Sequence, residues 1–384
     1  MRDRKRILFI SNLFPNPISP NMASFNQQLI MALHNYHDID VVAPIAWIKR
    51  LKYSIPFHRQ DNGIDIYHPT YFYPPGCLRL LYGYFFLYSI RNIISTLVSK
   101  RKYDLVLAAW LFPDGYAAYQ IAKKLNIPVF VKALGTDVNR LHPDTILTRL
   151  TLGVVENSNR ISCVSQALKS RLEDLGAPSE KLSVQYNGID KNIFHPMSRE
   201  KVRQKLNIDL DETLVLYVGN LIKEKGLNEL ISAFKIVSDH KQSKWKLVII
   251  GKGPLEKKII RDIDQLILSS KVRLMGCLSL GEIAIWMNAA TMLCLPSYSE
   301  GMPNVIMEAL SCGTKIVASN VGGIPELSHG NKGFRIVPPR NVAQLADALK
   351  EMAIQHPEVG RTPFVVDTWD DNILKLEKIL FGEN

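Results

Sequence analysis

Two glutamates eight positions apart, Glu300 and Glu308, are the most specific chemical signal in the chain. They lie in LCLPSYSEGMPNVIMEALSCGTKIVAS, which starts at Leu293. A buried strand over 292–295 should end at Pro296, and a polar loop then carries Glu300 and Gly301. Pro303 suits the first residue of a helix and Gly313 its stop. Such a helix start offers unpaired N–H groups and the positive end of its dipole, a natural seat for a phosphate or diphosphate. Glu308, about five residues into the helix, lies ~7.5 Å along its axis, too far from Glu300 to share one oxygen atom. A ligand with phosphate in the middle and hydroxyl-bearing rings at either end fits, and a nucleotide sugar is built that way. On spacing alone, a solvated loop charge beside a surface helix charge remains the competing explanation.

The elements that must position these residues follow one grammar repeated twice: a β-branched run, a turn, then a helix-period segment. The runs fall at 7–10, 39–43, 105–108, 129–133 and 160–164, then at 214–218, 246–250, 272–275, 292–295, 315–318 and 333–337. Two doubly wound α/β domains are expected, with the changeover in NGIDKNIFHPM from Asn187 and ligands in the cleft between them. The domains are placed at 1–192 and 193–364, with an amphipathic helix at 365–384 that packs back on the first.

A length of 384 residues with 47% hydrophobic content supports two buried cores. The five cysteines are scattered without a CxxC pair, which argues for reduced thiols in the cytoplasm and against a zinc site or disulfide framework. The longest uncharged apolar stretch, 80–90, is roughly half of the ~20 residues that span a bilayer. A net charge of +11 attracts anionic partners, but there is no zinc-finger, RNP or helix-turn-helix pattern, and nucleic acid is not expected.

The frame Glu300-Gly301-Met302-Pro303, Glu308-Ala309, Gly313 and Ile316-Val317-Ala318-Ser319 resembles the signature of glycosyltransferase family 4. VGNLIKEKGLNELISAF from Val218, VIIGKGPLE from Val248, YNGIDKNIFHP from Tyr186 and GGIPEL from Gly322 follow the same family in order. WLFPDGYAA from Trp110 and LGTDVN from Leu134 look like its surface and exopolysaccharide branch. The resemblance implies a GT-B architecture of two Rossmann-like domains and a retaining, metal-independent hexosyl transfer needing no cofactor. The donor would be a nucleotide sugar, and the acceptor a glycan or a polyprenyl-linked carrier.

By the same resemblance Glu300 meets the donor sugar's hydroxyls, Glu308 the ribose and Lys225 the diphosphate. Gly219, Asn220, Gly251, Gly253, Gly301, Met302, Pro303, Asn304 and Val305 complete the donor site. Asn220 stands where the family often has a basic residue, so Lys223 is the nearest substitute cation. The loop 14–24, the first-domain lip, has Ala23-Ser24 where glycine is common. Leu107-Ala108-Ala109 and Leu134-Gly135 stand where a histidine is common, so no histidine base is evident and the departing phosphate can take the acceptor proton. Asp114 and Asp137, at predicted strand ends, are the remaining candidates to orient the acceptor, although capping a helix is the commoner task for such an Asp.

The Asp-x-Asp pairs at Asp38, Asp209 and Asp262 read as surface charge, and no metal is expected. His34 and His37 share a helical spacing without further ligands. Two stretches, 47–59 and 78–102, mix aromatics with Lys and Arg. They fit either docking on the anionic inner face of a membrane or a core with solvated cations around it. A silent nucleotide-sugar-binding subunit and a GT-B epimerase are the alternative functions.

Overall fold

The computed structural model describes residues 4–20, 22–239, 243–355 and 366–381. Its contacts divide the chain into two units, Met1–Gly188 with Trp369–Asn384, and Ile189–Thr368. The changeover thus falls inside the expected turn-rich stretch, four residues ahead of the 192/193 division. The returning helix runs Trp369–Phe381 rather than from 365, and the stretch 356–365 lies outside the described residues.

The first unit is built on an eight-stranded sheet. Its order is Leu182–Val184, Arg160–Cys163, Val129–Ala133, Leu105–Ala109, Arg6–Ile10, Asp38–Val42, Ile64–Tyr67 and His58–Asp61. All neighbours are parallel except the last pair. The central strands are almost wholly apolar, Arg6 and Lys132 being the charged exceptions, because both faces are covered. Trp369, Ile373, Leu376 and Leu380 of the returning helix join Leu29, Ile30 and Leu33 of helix Ser24–His34 in one buried cluster over this sheet. Trp369 also donates from Nε1 to Gln28 Oε1 at 2.8 Å.

The second unit carries a six-stranded, fully parallel sheet in the order Val272–Gly276, Trp245–Ile250, Thr213–Val218, Met292–Leu295, Lys315–Ser319 and Phe334–Val337. All eleven apolar runs read from the sequence are strands. The misses are short or polar: HRQD at His58–Asp61, IDIY at Ile64–Tyr67, LSV at Leu182–Val184, and the pair Ile45–Ala46 with Thr70–Tyr71. They sit at or next to a sheet edge or outside the main sheets, where runs are short and the apolar signal is weak.

In each unit the strand order reverses once beside a central strand. The second unit reverses between Thr213–Val218 and Met292–Leu295, and the loops leaving the carboxyl ends there diverge to opposite sides. That divergence opens the crevice in which doubly wound sheets bind ligands.

Candidate functional site

The loops at this reversal in the second unit are locked backbone to backbone. Leaving Thr213–Val218, Gly219 donates to Ile250 O at 3.0 Å and Leu221 to Lys252 O at 3.0 Å. The chain then makes the single turn Lys223–Lys225 and reaches Gly226, whose φ is 67°. A Cβ on Gly226 would overlap the carbonyl oxygen of Pro296, the residue that ends the neighbouring strand. The two loops therefore touch at a point where no side chain fits.

Gly251 and Gly253 act similarly, and this changes the reason for their being glycine. A glycine in such a loop can leave room for a diphosphate to approach the backbone. The space a Cβ would take is instead filled by the carbonyl oxygens of Gly219 and Leu221. They let the loop after Trp245–Ile250 lie directly on the Gly219–Leu221 backbone, and Leu255 N closes the contact on Leu221 O at 3.0 Å.

Across the reversal, Lys225 Nζ reaches Glu300 Oε1 at 2.6 Å. The sequence placed these two on different parts of a ligand, and here they hold each other. Tyr298, which carried no sequence signal, braces the same contact. Its N–H donates to Glu224 O at 2.8 Å, its hydroxyl lies 2.6 Å from both Glu229 carboxylate oxygens, and Arg340 stacks on its ring at 4.6 Å from the centroid. Tyr298 thus ties the loop bearing Glu300 to the turn bearing Lys225 and to the helix Leu227–Ser238 behind it.

The helix after this loop runs Asn304–Ser311. Pro303 is its cap, in an extended conformation, rather than its first turn, and no side chain caps the start. Ile306 N–H turns back to Pro303 O at 3.1 Å, and the positive end of the helix dipole faces whatever lies there. Met302, Ile306 and Met307 are buried and fix the helix against the sheet, while Asn304 and Val305 stay partly accessible.

Glu308 is on this helix, half-buried. Among the described residues no hydrogen bond or ion pair holds its carboxyl group. Loss of surrounding water pushes its pKa up to about 7. A carboxylate so enclosed gains from any hydroxyl pair that can donate to it.

The first-unit candidates have other tasks. Asp114 is fully buried and accepts from Asn12 N at 2.8 Å, Asn12 Nδ2 at 3.0 Å and Ser11 Oγ at 3.2 Å. Asp137 accepts from the backbone N–H groups of Leu111 at 3.0 Å, Leu134 at 3.1 Å and Gly135 at 2.8 Å. Burial pushes both carboxyls above the ordinary range. Neither is turned outward to orient an acceptor. They pin the loops at the first sheet's reversal, including Trp110, whose φ of 87° is strained for an aromatic residue. Ala23 likewise takes a left-handed φ of 50°, the conformation for which glycine is the usual choice.

The discounted acids are engaged as surface or packing charges. Asp38 pairs with Arg4 and Arg6, Asp40 with Arg101, Asp211 with Lys244 and Asp262 with Lys258. His37 meets Glu377 of the returning helix at 3.1 Å. Among the described residues no three His, Cys, Asp or Glu side chains gather closely enough to hold a metal.

The loop contact predicts a large effect at Gly226. Gly226→Ala forces a left-handed alanine against a carbonyl, worth roughly 2–3 kcal/mol. Tm should fall by roughly 5–10 °C. Gly281→Ala, where an added Cβ meets nothing, should leave Tm unchanged or raise it.

The description "Glycosyl transferases group 1" fits residues 198–358, and "Glycosyltransferase Family 4" fits residues 22–192. TuaC of Bacillus subtilis (strain 168), named as a glycosyltransferase of teichuronic acid biosynthesis, is 27% identical over 382 residues, 95% of this chain and 93% of its own length. Sucrose-phosphate synthase from Thermosynechococcus elongatus superposes with a TM-score of 0.82 at 19% identity, covering 98% of both chains. Anabaena HepE, solved with UDP-glucose, superposes at 0.70 with 20% identity, covering 98% of this chain and 96% of its own. The fold is GT-B. Matched by two family descriptions that together cover most of both units, the chain belongs to glycosyltransferase family 4.

Proposed function

We propose that the protein transfers a hexosyl group from a nucleoside-diphosphate sugar to a hydroxyl of a glycan or lipid-linked acceptor, with retention, in the assembly of a surface polysaccharide. The observation that carries this reading is Glu308. It is a half-buried carboxylate without a partner among the described residues, one turn beyond an uncapped helix start and on the same loop–helix segment as Glu300, which pairs with Lys225. A ribose diol supplies the two donors that Glu308 lacks. The helix start and Lys225 suit the diphosphate, and Glu300 suits hydroxyls of the sugar. Gly219, Asn220, Gly251, Gly253 and Gly301 form the backbone floor of this donor site, with Met302 to Val305 leading into the helix. The UDP-glucose held by HepE and the teichuronic acid role in the name of TuaC support this donor and acceptor class.

In the proposed reaction the bond from the anomeric carbon to the β-phosphate oxygen breaks, and a bond to the acceptor oxygen forms on the same face. The acceptor's proton passes to the departing phosphate, so the transfer requires no histidine base. Five unpaired cysteines suit a reducing compartment, and the reaction is proposed for the cytoplasm.

Thermal-shift screening of the protein against a panel of nucleotide sugars tests the donor site. A donor at 100 times its Kd adds about 2.7 kcal/mol of stability, roughly 5–10 °C. Hydrolysis of the stabilising donor, followed by NMR of the released sugar's first-formed anomer, then tests retention. No shift with any nucleotide sugar would overturn the reading. Binding without turnover would leave the silent subunit, and inversion at C2 or C4 of the sugar the epimerase.

A further inference from the structure

We infer that the first unit carries a docking surface for an anionic lipid membrane, built from the segments 49–57 and 72–88. The structure brings the two together. Ala46 pairs with Tyr71 in a parallel bridge, and Trp47 donates from Nε1 to Tyr73 O at 2.9 Å. Tyr82 closes the second segment on itself, its hydroxyl donating to Pro74 O at 2.9 Å while its own carbonyl accepts from Tyr71 OH at 3.0 Å.

The core reading of these aromatics holds for only part of them. Tyr71 and Phe86 are buried and meet edge to face with centroids 5.0 Å apart. Phe72, Leu78, Tyr84 and Tyr88 are instead 59%, 58%, 56% and 61% exposed. Leu51, Tyr53 and Phe57 on the neighbouring segment are 75%, 51% and 53% exposed. Residues 75–81, PGCLRLL, are exposed without a break. Large apolar side chains concentrated on two joined segments form a patch that water alone does not favour.

Charge selects the occupant. Between residues 41 and 103 the chain has nine Lys and Arg but only Asp61 and Asp65 as acids. Both acids are already paired, with Arg59 and with His58 and Arg101. Lys49, Lys52, Arg79 and Arg91 have no acidic partner among the described residues, and Arg91 lies 3.8 Å over the exposed Tyr88 ring. Unpaired cations around protruding leucines and tyrosines match the two terms of interfacial binding, shallow burial of apolar side chains and attraction to acidic headgroups. Among the described residues no helix is long and apolar enough to cross a membrane, so the contact is peripheral.

Vesicle flotation tests this without donor or acceptor, so its outcome is independent of the transfer reading. The protein should float with vesicles containing phosphatidylglycerol and far less with pure phosphatidylcholine. Each surface cation strengthens such binding roughly fivefold, so Lys49→Gln/Lys52→Gln/Arg79→Gln should lower partition by about 100-fold. Leu78→Ser/Tyr84→Ser should weaken it at every salt concentration, since headgroup charge is untouched. Unchanged Tm in both variants separates lost docking from lost folding. Equal binding to neutral and acidic vesicles, or wild-type partition of the triple variant, would overturn the inference.

Discussion

Glu300→Gln is expected to cut sugar transfer by about 10²–10³ while leaving affinity for the free nucleoside diphosphate undiminished. Lys225→Ala, at the other end of the same contact, should weaken that affinity by about 1.5–3 kcal/mol. The opposite behaviour of two bonded residues follows from what each offers a ligand. Lys225 Nζ lies 2.6 Å from Glu300 Oε1, so a diphosphate must compete with Glu300 for the ammonium. Removing the carboxylate removes the competitor and frees a cation for phosphate. Sugar hydroxyls, present in the donor but not in the product nucleotide, lose their acceptor at the same time.

The loss should therefore appear in kcat, because the interaction is made to the part of the donor whose charge changes as the bond breaks. Calorimetry with the nucleoside diphosphate, set beside initial rates with the donor, separates the terms. Equal weakening of nucleotide binding in both variants would mean that the pair is only a structural brace. That outcome has a physical basis in the structure, since Tyr298, Glu224 and Glu229 tie the same two loops together.

The fold was legible because a parallel sheet covered on both faces writes itself as predominantly apolar runs, and each run read from the sequence became a strand. The loops of the proposed donor site stood out because a loop, a proline and a helix start follow one another in the local order that suits a phosphate. What could not be read was whatever depends on distant partners. Gly251 and Gly253 look alike in a sequence whether they clear space for a ligand or for Gly219 O and Leu221 O. Asp114 and Asp137 sit where an acceptor-orienting acid could sit. Only the donors converging on them, the Ser11 hydroxyl and the N–H groups of residues 12, 111 and 134–135, reveal that they hold loops. Tyr298 left no trace because its partners lie 69 and 74 positions away.

Glu308→Gln should combine gained stability with lost affinity, and both changes should depend on pH. The folded carboxyl titrates at about 7, raised from 4.5 by burial. A carboxyl raised in this way favours the protonated folded state, so wild-type stability falls as pH rises from about 4.5 to 7 and levels off above. A shift of that size corresponds to about 3 kcal/mol. The uncharged glutamine escapes it, so the variant should overtake wild type by up to about 3 kcal/mol at pH 8 and match it near pH 5. Nucleotide binding should move the other way. Only the ionised carboxylate accepts from both ribose hydroxyls, so wild-type affinity should be about tenfold weaker at pH 6 than at pH 8. In the variant that dependence should shrink to what the nucleotide's own phosphate contributes, and affinity at pH 8 should drop by about 10- to 150-fold. Melting curves and calorimetry at pH 5, 6, 7 and 8 measure both arms. A variant that gains stability yet binds nucleotide as wild type would show that Glu308 faces the protein interior alone, and the ribose assignment would fall with it. The paired outcome instead is that of a side chain held at an energetic disadvantage until the ligand arrives, which is how binding sites commonly trade stability for function.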